Sequence, residues 1–120
     1  MYFEIDSYNA LKAALNSLCN GLTQRDVPQE TVFDSKLVAD ELLSNALRHG
    51  GGKAFFSFVV EDDMISLSVR SLQAYRPPDK SILAGLEAEH GRGLYIVDTL
   101  VETRRYSEEG GTSVVIRIRR

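Results

Sequence analysis

Two stretches of this chain carry apolar residues at three- and four-residue intervals, the spacing that gathers them on one face of a helix. In the first stretch the periodic positions are Leu11, Ala14, Leu15, Leu18 and Leu22. Ser7 is a good N-cap for this helix. Because Pro28 discourages helical geometry in Val27, we expect the helix to end by Asp26.

The second stretch predicts a helix from about Gln29 to His49 that is apolar around most of its circumference. Its apolar positions are Val32, Phe33, Leu37, Val38, Leu42, Leu43, Ala46 and Leu47. The narrow arc that remains holds Asp34, Glu41, Asn45 and Arg48. We expect this helix to be well buried, with Glu41 near protein or ligand rather than in open water. The glycines at residues 50–52 end the helix.

Five segments have the composition or alternation of β-strands, most clearly where Ile65, Leu67 and Val69 alternate with polar neighbours. They cover residues 1–6, 53–60, 64–70, 102–107 and 112–119. Tight turns at residues 61–63 and 109–111 require the strands on either side of each turn to pair antiparallel. A third helix is predicted from Gly91 to about Leu100.

The predicted order of elements is therefore β-α-α-β-β-loop-α-β-β. Three helices covering one face of a mostly antiparallel sheet make a two-layer α/β sandwich of the α+β class. The loop is residues 71–90, which contain two adjacent prolines and permit a short helix around residues 81–88. A loop of this length in a small domain is more often a binding loop or lid than an idle linker.

Composition limits the classes of function. With 120 residues the chain is expected to form a single domain over residues 1–120. A net charge of −3 means that the chain lacks the overall excess of basic residues expected of a protein that binds nucleic acid directly. Cys19 is the only cysteine, so no internal disulfide can form. The chain shows no signal sequence and no long apolar run, so no membrane association is expected and the cytoplasm is the default location.

The polar arc of the second helix contains the most informative chemistry. Glu41 and Asn45 are i, i+4 neighbours and project to one side of the helix. An amide oxygen that can bind a metal, beside a potential proton acceptor, is suited to holding a magnesium nucleotide and activating a hydroxyl. The same pair is also typical of a solvent-exposed polar face of a helix, and this segment alone is consistent with both interpretations.

Two glycine-rich segments add to this pattern. In Gly91-Arg92-Gly93-Leu94 the glycines allow close approach of the backbone, and free N–H groups at a helix start bind phosphate. Arg92 would add positive charge. A simple turn with a helix start is the alternative. The second segment, Gly110-Gly111-Thr112, leads into the last predicted strand.

These two segments and the motif Glu41-x-x-x-Asn45-Ala-x-x-His49-Gly50 resemble, in order, spacing and setting, the GHKL ATPase superfamily, which includes gyrase and histidine-kinase ATPase domains. The likeness covers nearly the whole chain. Within the superfamily, the chain is most similar to the small anti-sigma-factor serine kinases of bacteria.

The resemblance implies a role for each matching residue. ATP is the implied substrate and Mg²⁺ the implied cofactor. Glu41 corresponds to the general base, Asn45 to the Mg²⁺ ligand and Thr112 to a threonine near the adenine. Residues 91–94 correspond to the phosphate-binding segment. Two further residues are expected at the pocket wall, Arg48 and His49.

One motif of the family is degenerate in this chain. Where relatives have Asp-x-Gly-x-Gly, whose aspartate accepts a hydrogen bond from the adenine amine, the sequence reads Ser71-Leu72-Gln73-Ala74-Tyr75. A hydrogen bond to a charged group contributes about 1.5–3 kcal/mol. Losing it is expected to weaken binding by about 10- to 150-fold. Ser71 can accept a weaker bond, and Tyr75 either fills part of the adenine slot or stacks on the base.

Three functions are consistent with these features. The first is an anti-sigma-factor-like regulator that binds Mg-ATP weakly, phosphorylates a serine on an antagonist protein and sequesters a sigma factor, often as a homodimer. The second is a protein-binding module of the same fold that needs no nucleotide. The third, a detached catalytic domain of a sensor histidine kinase, is disfavoured because the only histidines, His49 and His90, both lie in the proposed pocket region.

Overall fold

The computed structural model describes residues 2–77 and 89–119, and the side chains of residues 89–92 are outside that description. Within these described residues there are three helices and five strands. In chain order these are β1 Tyr2–Ile5, α1 Tyr8–Gln24, α2 Gln29–His49, β2 Ala54–Glu61, β3 Met64–Ser71, α3 Glu89–Leu100, β4 Thr103–Ser107 and β5 Gly111–Arg117. The predicted short helix at residues 81–88 lies outside the described residues.

The strands form one sheet in the order β1-β2-β3-β5-β4, and every neighbouring pair is antiparallel. The β4–β5 hairpin therefore inserts β5 beside β3 and leaves β4 at the edge. This arrangement confirms the predicted α+β sandwich. It also brings the end of β3 and the start of β5 together, with Val69 opposite Thr112.

A single core lies between the helices and the sheet. Its fully buried side chains come from all three helices and from the sheet, and the largest are Phe56, Ile5, Leu18, Leu22, Leu43, Ile65, Leu67, Val38, Val97 and Val114. The alternating burial along β3 and β5 follows the period of two that a sheet with one covered face requires. The apolar periodicity in the sequence therefore identified the inner faces of α1 and β3.

The helix boundaries agree closely with the sequence pattern, with one important difference. The Ser7 hydroxyl accepts a hydrogen bond from the Ala10 N–H, as an N-cap does, and α2 covers the predicted residues. Helix α3, however, begins at Glu89 rather than at Gly91. Gly91 and Gly93 thus lie inside the first two turns of α3, not before it.

The expectation that α2 is buried around most of its surface was wrong. Phe33 is 60% exposed and Leu37 is 39% exposed. These two residues are one turn apart on a side of the helix that the neighbouring elements leave open. A helical wheel shows which residues share a face but not how many faces the rest of the fold covers. Within the described ranges, none of the helices has the length and apolarity needed to cross a membrane.

Candidate functional site

A cavity of about 380 Å³ opens between the C-terminal half of α2, the end of β3 and the β4–β5 turn. We call it the Asn45 cavity. Its lining includes Asn45, Ala46, Ser71, Tyr75, Tyr106 and Thr112. Asn45, Ser71 and Thr112, all singled out in the sequence, are therefore brought to one cavity from three different elements, and Tyr75 joins them from the segment after β3.

Asn45 is held on the buried side of α2, with only 7% of its surface exposed. Its amide oxygen accepts a hydrogen bond from the Arg48 guanidinium, with 3.1 Å between Oδ1 and Nη2. Arg48 itself is exposed and lies in the last turn of the helix. The oxygen predicted to bind a metal is thus in contact with a positively charged side chain of the same helix.

Glu41 lies one turn before Asn45 and is half-buried. A Cβ atom built on Gly93 would overlap the Glu41 carboxyl group. The missing side chain at Gly93 therefore leaves the space that this carboxylate occupies against α3. This contact confirms the expectation that Glu41 faces protein rather than open water, and it joins two of the three sequence motifs directly.

The other predicted residues of α3 have different surroundings. The Leu94 side chain is buried, with 3% exposed, so any contact of Leu94 with a ligand would have to come from its backbone. The backbone of Gly91 lies in the first turn of α3, where N–H groups lack helical partners, and the backbone of Gly93 and Leu94 lies beyond that turn. The Arg92 side chain lies outside the described residues.

His49 ends α2 and is exposed, as its neighbour Arg48 is. Its imidazole ring stacks on Tyr75, with 4.8 Å between ring centroids and 27° between planes. Tyr75 also lines the Asn45 cavity. The tyrosine predicted to fill the adenine slot or stack on a base is therefore held at the wall by a histidine of the first motif.

Ser71, the residue expected at the position of the family's adenine-binding aspartate, forms a hydrogen bond within the chain. Its hydroxyl donates a hydrogen bond to the Gln73 carbonyl oxygen at 2.5 Å. The Leu72 N–H donates to the Lys53 carbonyl and the Gln73 N–H donates to the Gly50 carbonyl, both at 2.8 Å. The chain after β3 is thereby folded back onto the end of α2.

This folding explains why residue 50 is a glycine. Its φ of −112° is accessible to any residue, so ending the helix does not itself demand glycine here. A Cβ at Gly50, however, would collide with the Ser71 side chain and the Ala46 carbonyl oxygen. The close approach of β3 to the end of α2 requires the glycine.

Thr112 sits in β5 opposite Val69 of β3 and Tyr106 of β4, and is 5% exposed. Sequence reasoning missed Tyr106, Glu108 and Glu109, which also line the cavity. The sequence did contain a signal for Tyr106: a hairpin closed by the predicted turn at residues 109–111 places it near Thr112 on the paired strand.

Helix α3 is tied to β4 beside the site. The Arg104 guanidinium donates two hydrogen bonds to the Asp98 carboxylate, Nε to Oδ1 at 2.6 Å and Nη2 to Oδ2 at 3.0 Å. Only 8% of the Arg104 side chain is exposed. A paired, bidentate contact of this kind fixes orientation as well as distance, so it restrains the helix that carries Gly93.

Asp34, the first residue of the polar arc, faces a separate region. It lines a second cavity of about 310 Å³ together with Glu30 and Thr99. Burial, and then the negative charge of Glu30, raise the pKa of the Asp34 carboxyl. The polar arc of α2 is therefore divided, and only its C-terminal part, from Glu41 onward, belongs to the site.

The donors present suit a magnesium ion shared with phosphates better than a metal held by protein alone. Among the residues that the structure describes, no group of three or more His, Cys, Asp or Glu side chains could hold a metal. Mg²⁺ commonly takes one or two protein oxygens and completes its shell with water and substrate phosphates. The Asn45 amide oxygen is one protein oxygen of the kind that such a site uses.

The model of the protein family described as the histidine kinase-like ATPase domain matches residues 6–118 of the chain. The matched segment contains all three helices and every residue assigned to the site. A search of curated proteins found no match.

Proposed function

Because the chain belongs to the histidine kinase-like ATPase domain family, whose members are ATP-binding domains of the GHKL superfamily, we propose that it binds Mg-ATP in the Asn45 cavity. We further propose that it transfers the γ-phosphoryl group to a serine of an antagonist protein, as an anti-sigma-factor kinase does. The observation that carries this proposal is the contact of the Glu41 carboxylate with α3 at Gly93, one helical turn from Asn45.

In this function each residue has a separate task. Asn45 would hold the Mg²⁺, which when bound would neutralise charge on the phosphates. The N–H groups in the first turn of α3 receive the phosphate oxygens. Glu41 accepts the proton of the attacking serine hydroxyl. The serine oxygen forms a bond to the γ-phosphorus, the bond to the β–γ bridging oxygen breaks, and ADP leaves.

The proposed partners are a sigma factor and an antagonist protein carrying the acceptor serine, with the protein acting in the bacterial cytoplasm and as a homodimer. The exposed Phe33 and Leu37 are compatible with a protein-binding role. These assignments rest on the resemblance to anti-sigma-factor kinases.

Replacing Asn45 with alanine tests the nucleotide site. We expect Mg-ATP affinity to fall by about tenfold, the lower end of the range for losing one contact to a charged group. Calorimetric titration with ATP and magnesium measures this. The matched control is Asn16→Ala, the same change at an exposed helical position of α1. Equal affinity of the Asn45→Ala variant and the parent would contradict the site.

A nucleotide-independent binding module is the second candidate, and the state of Ser71 favours it. Its hydroxyl donates a hydrogen bond to the Gln73 carbonyl and keeps its oxygen lone pairs. Ser71 therefore offers the adenine amine an uncharged acceptor, which binds it more weakly than a carboxylate would. Parent protein that shows no heat of binding at millimolar ATP would support this candidate over the kinase.

The double variant Ser71→Asp, Gln73→Gly is expected to bind ATP about 10- to 150-fold more tightly, because it restores a charged acceptor for the base. The same variant is expected to unfold at a lower temperature. The new carboxylate cannot donate to the residue 73 carbonyl, so the hydrogen bond is lost and repulsion replaces it. Titration and thermal unfolding measure the two effects.

The control is Ser71→Asn with Gln73→Gly, which has almost the same size but no charge. A gain confined to the aspartate variant assigns the effect to the charged acceptor. No gain in either variant would mean that the base does not reach residue 71.

A further inference from the structure

The amide oxygen of Asn45 is shared between two potential cations. In the structure it accepts a hydrogen bond from Arg48, and the proposed function requires it to bind Mg²⁺. Arginine stays charged at every accessible pH. The oxygen proposed for the metal is therefore in contact with a permanent positive charge carried three residues further along the same helix.

The position of this oxygen favours a cation from either source. Asn45 and Arg48 lie in the last two turns of α2, near the end where unpaired carbonyl groups give the helix a partial negative charge. Asn45 is 7% exposed, so its oxygen is screened little by water. A guanidinium and a divalent cation on the same oxygen repel each other, and the exposed position of Arg48 allows its guanidinium to turn into water when the metal binds.

The distances show that charge, rather than shape, sets the two cations against each other. Mg²⁺ requires its oxygen ligands at about 2.0–2.1 Å in near-octahedral arrangement. The Arg48 Nη2 atom is 3.1 Å from the same oxygen. The amide oxygen has two lone pairs, so both cations can reach it, but they would then lie no more than about 5 Å apart. Coordination of the metal by Asn45 is therefore opposed by the guanidinium charge and is favoured when Arg48 turns away.

Resting on the proposed function, we infer that Arg48 is a built-in competitor of the magnesium ion for Asn45, so that nucleotide binding at this site depends only weakly on the metal. Without metal, Arg48 supplies the positive charge that the phosphates need, and its planar guanidinium pairs with phosphate oxygens. With metal, displacing Arg48 offsets part of the affinity that the metal adds.

The test compares the dissociation constant for ATP in excess EDTA with that in excess Mg²⁺, by calorimetric titration. In the parent protein the ratio of the two constants is expected to be small. In Arg48→Gln it is expected to rise by about tenfold or more, the effect of one contact to a charged group. The substitution removes the positive charge that Arg48 offers to metal-free ATP, so the dissociation constant in EDTA rises. It also removes the competitor of Mg²⁺ for Asn45, so the dissociation constant in Mg²⁺ falls. Both changes raise the ratio.

The matched control is Arg25→Gln. Arg25 is the C-cap of α1 and its guanidinium bonds to a carbonyl oxygen of its own helix, the Gly21 oxygen at 3.4 Å. This change removes the same charge from a comparable helix end away from the Asn45 cavity, and the ratio is expected to stay at the parent value. Thermal unfolding of both variants verifies that each is folded.

The outcomes separate the two claims. If both proteins bind ATP and the ratio for Arg48→Gln equals that of the parent, the competition is refuted while the proposed function stands. If neither protein binds ATP under either condition, the proposed function fails and this inference falls with it. A ratio that rises equally in Arg25→Gln would assign the effect to net charge and also refute the competition.

Discussion

Replacing Gly93 with alanine is expected to stabilise the protein only when Glu41 has also been shortened to alanine. Within a helix, alanine is favoured over glycine by about 0.8–1.0 kcal/mol, and Gly93 is the fifth residue of α3. In the parent protein that gain is opposed, because the new methyl group overlaps the Glu41 carboxyl group. Removing the carboxyl group removes the opposition.

Thermal or urea unfolding of the parent, the two single variants and the double variant measures this coupling. Residues in contact show interaction free energies of about 0.5–3 kcal/mol, and a value in that range is expected here. Additive effects of the two substitutions would show that Glu41 does not rest against Gly93.

The functional effect of Gly93→Ala is expected to be larger than its effect on stability. The carboxylate is the end of a flexible side chain, so it can swing away from α3 without disrupting the core. A displaced general base is expected to cost about 10²–10⁴-fold in phosphoryl transfer. Incorporation of labelled phosphate into an acid-stable phosphoserine measures this. Glu41→Gln, with a similar loss, is the reference for a missing base.

Replacing Gly111 with alanine is expected to have the largest effect on stability. Gly111 has a φ of +74°, where an L side chain costs about 1–2 kcal/mol. Its Cβ would also strike the backbone of β3 at the Val69 carbonyl oxygen and at Arg70. Backbone atoms cannot swing aside as a side chain does, so overpacking adds about 1–3 kcal/mol. A total loss of about 2–5 kcal/mol is expected.

Gly52→Ala is the matched control for this effect. Gly52 has a similar φ of +81°, and a Cβ there meets nothing within 4 Å. It should therefore show the conformational cost alone, and the difference between the two variants measures the close approach of β5 to β3. Equal destabilisation by both substitutions would contradict that approach. Because Thr112 follows Gly111, the Gly111→Ala variant is also expected to bind ATP less tightly than Gly52→Ala.

The sequence alone determined the elements and the residue types of the site. The periods of 3.6 and 2 are local properties of helices and strands, so α2 and the inner face of β3 could be recognised from spacing. For the same reason the sequence predicted that Glu41 and Asn45 lie on the same side of α2, since residues four apart on a helix share a face. Membership of the family followed from motifs whose order along the chain is itself sequence information.

Only the tertiary structure decided which groups meet. Three observations depend on how α2, α3 and the sheet pack. The Glu41 carboxylate lies against Gly93, the Ser71 hydroxyl donates a hydrogen bond to the Gln73 carbonyl, and Phe33 is exposed. Helical spacing also allowed Arg48 to reach Asn45, but it did not say whether that arginine would bond to the amide or extend into water. The spacing of residues in the sequence gives their separation along the backbone. Contacts between different elements depend on separation in space, which is set by packing, so the sequence pattern does not predict them.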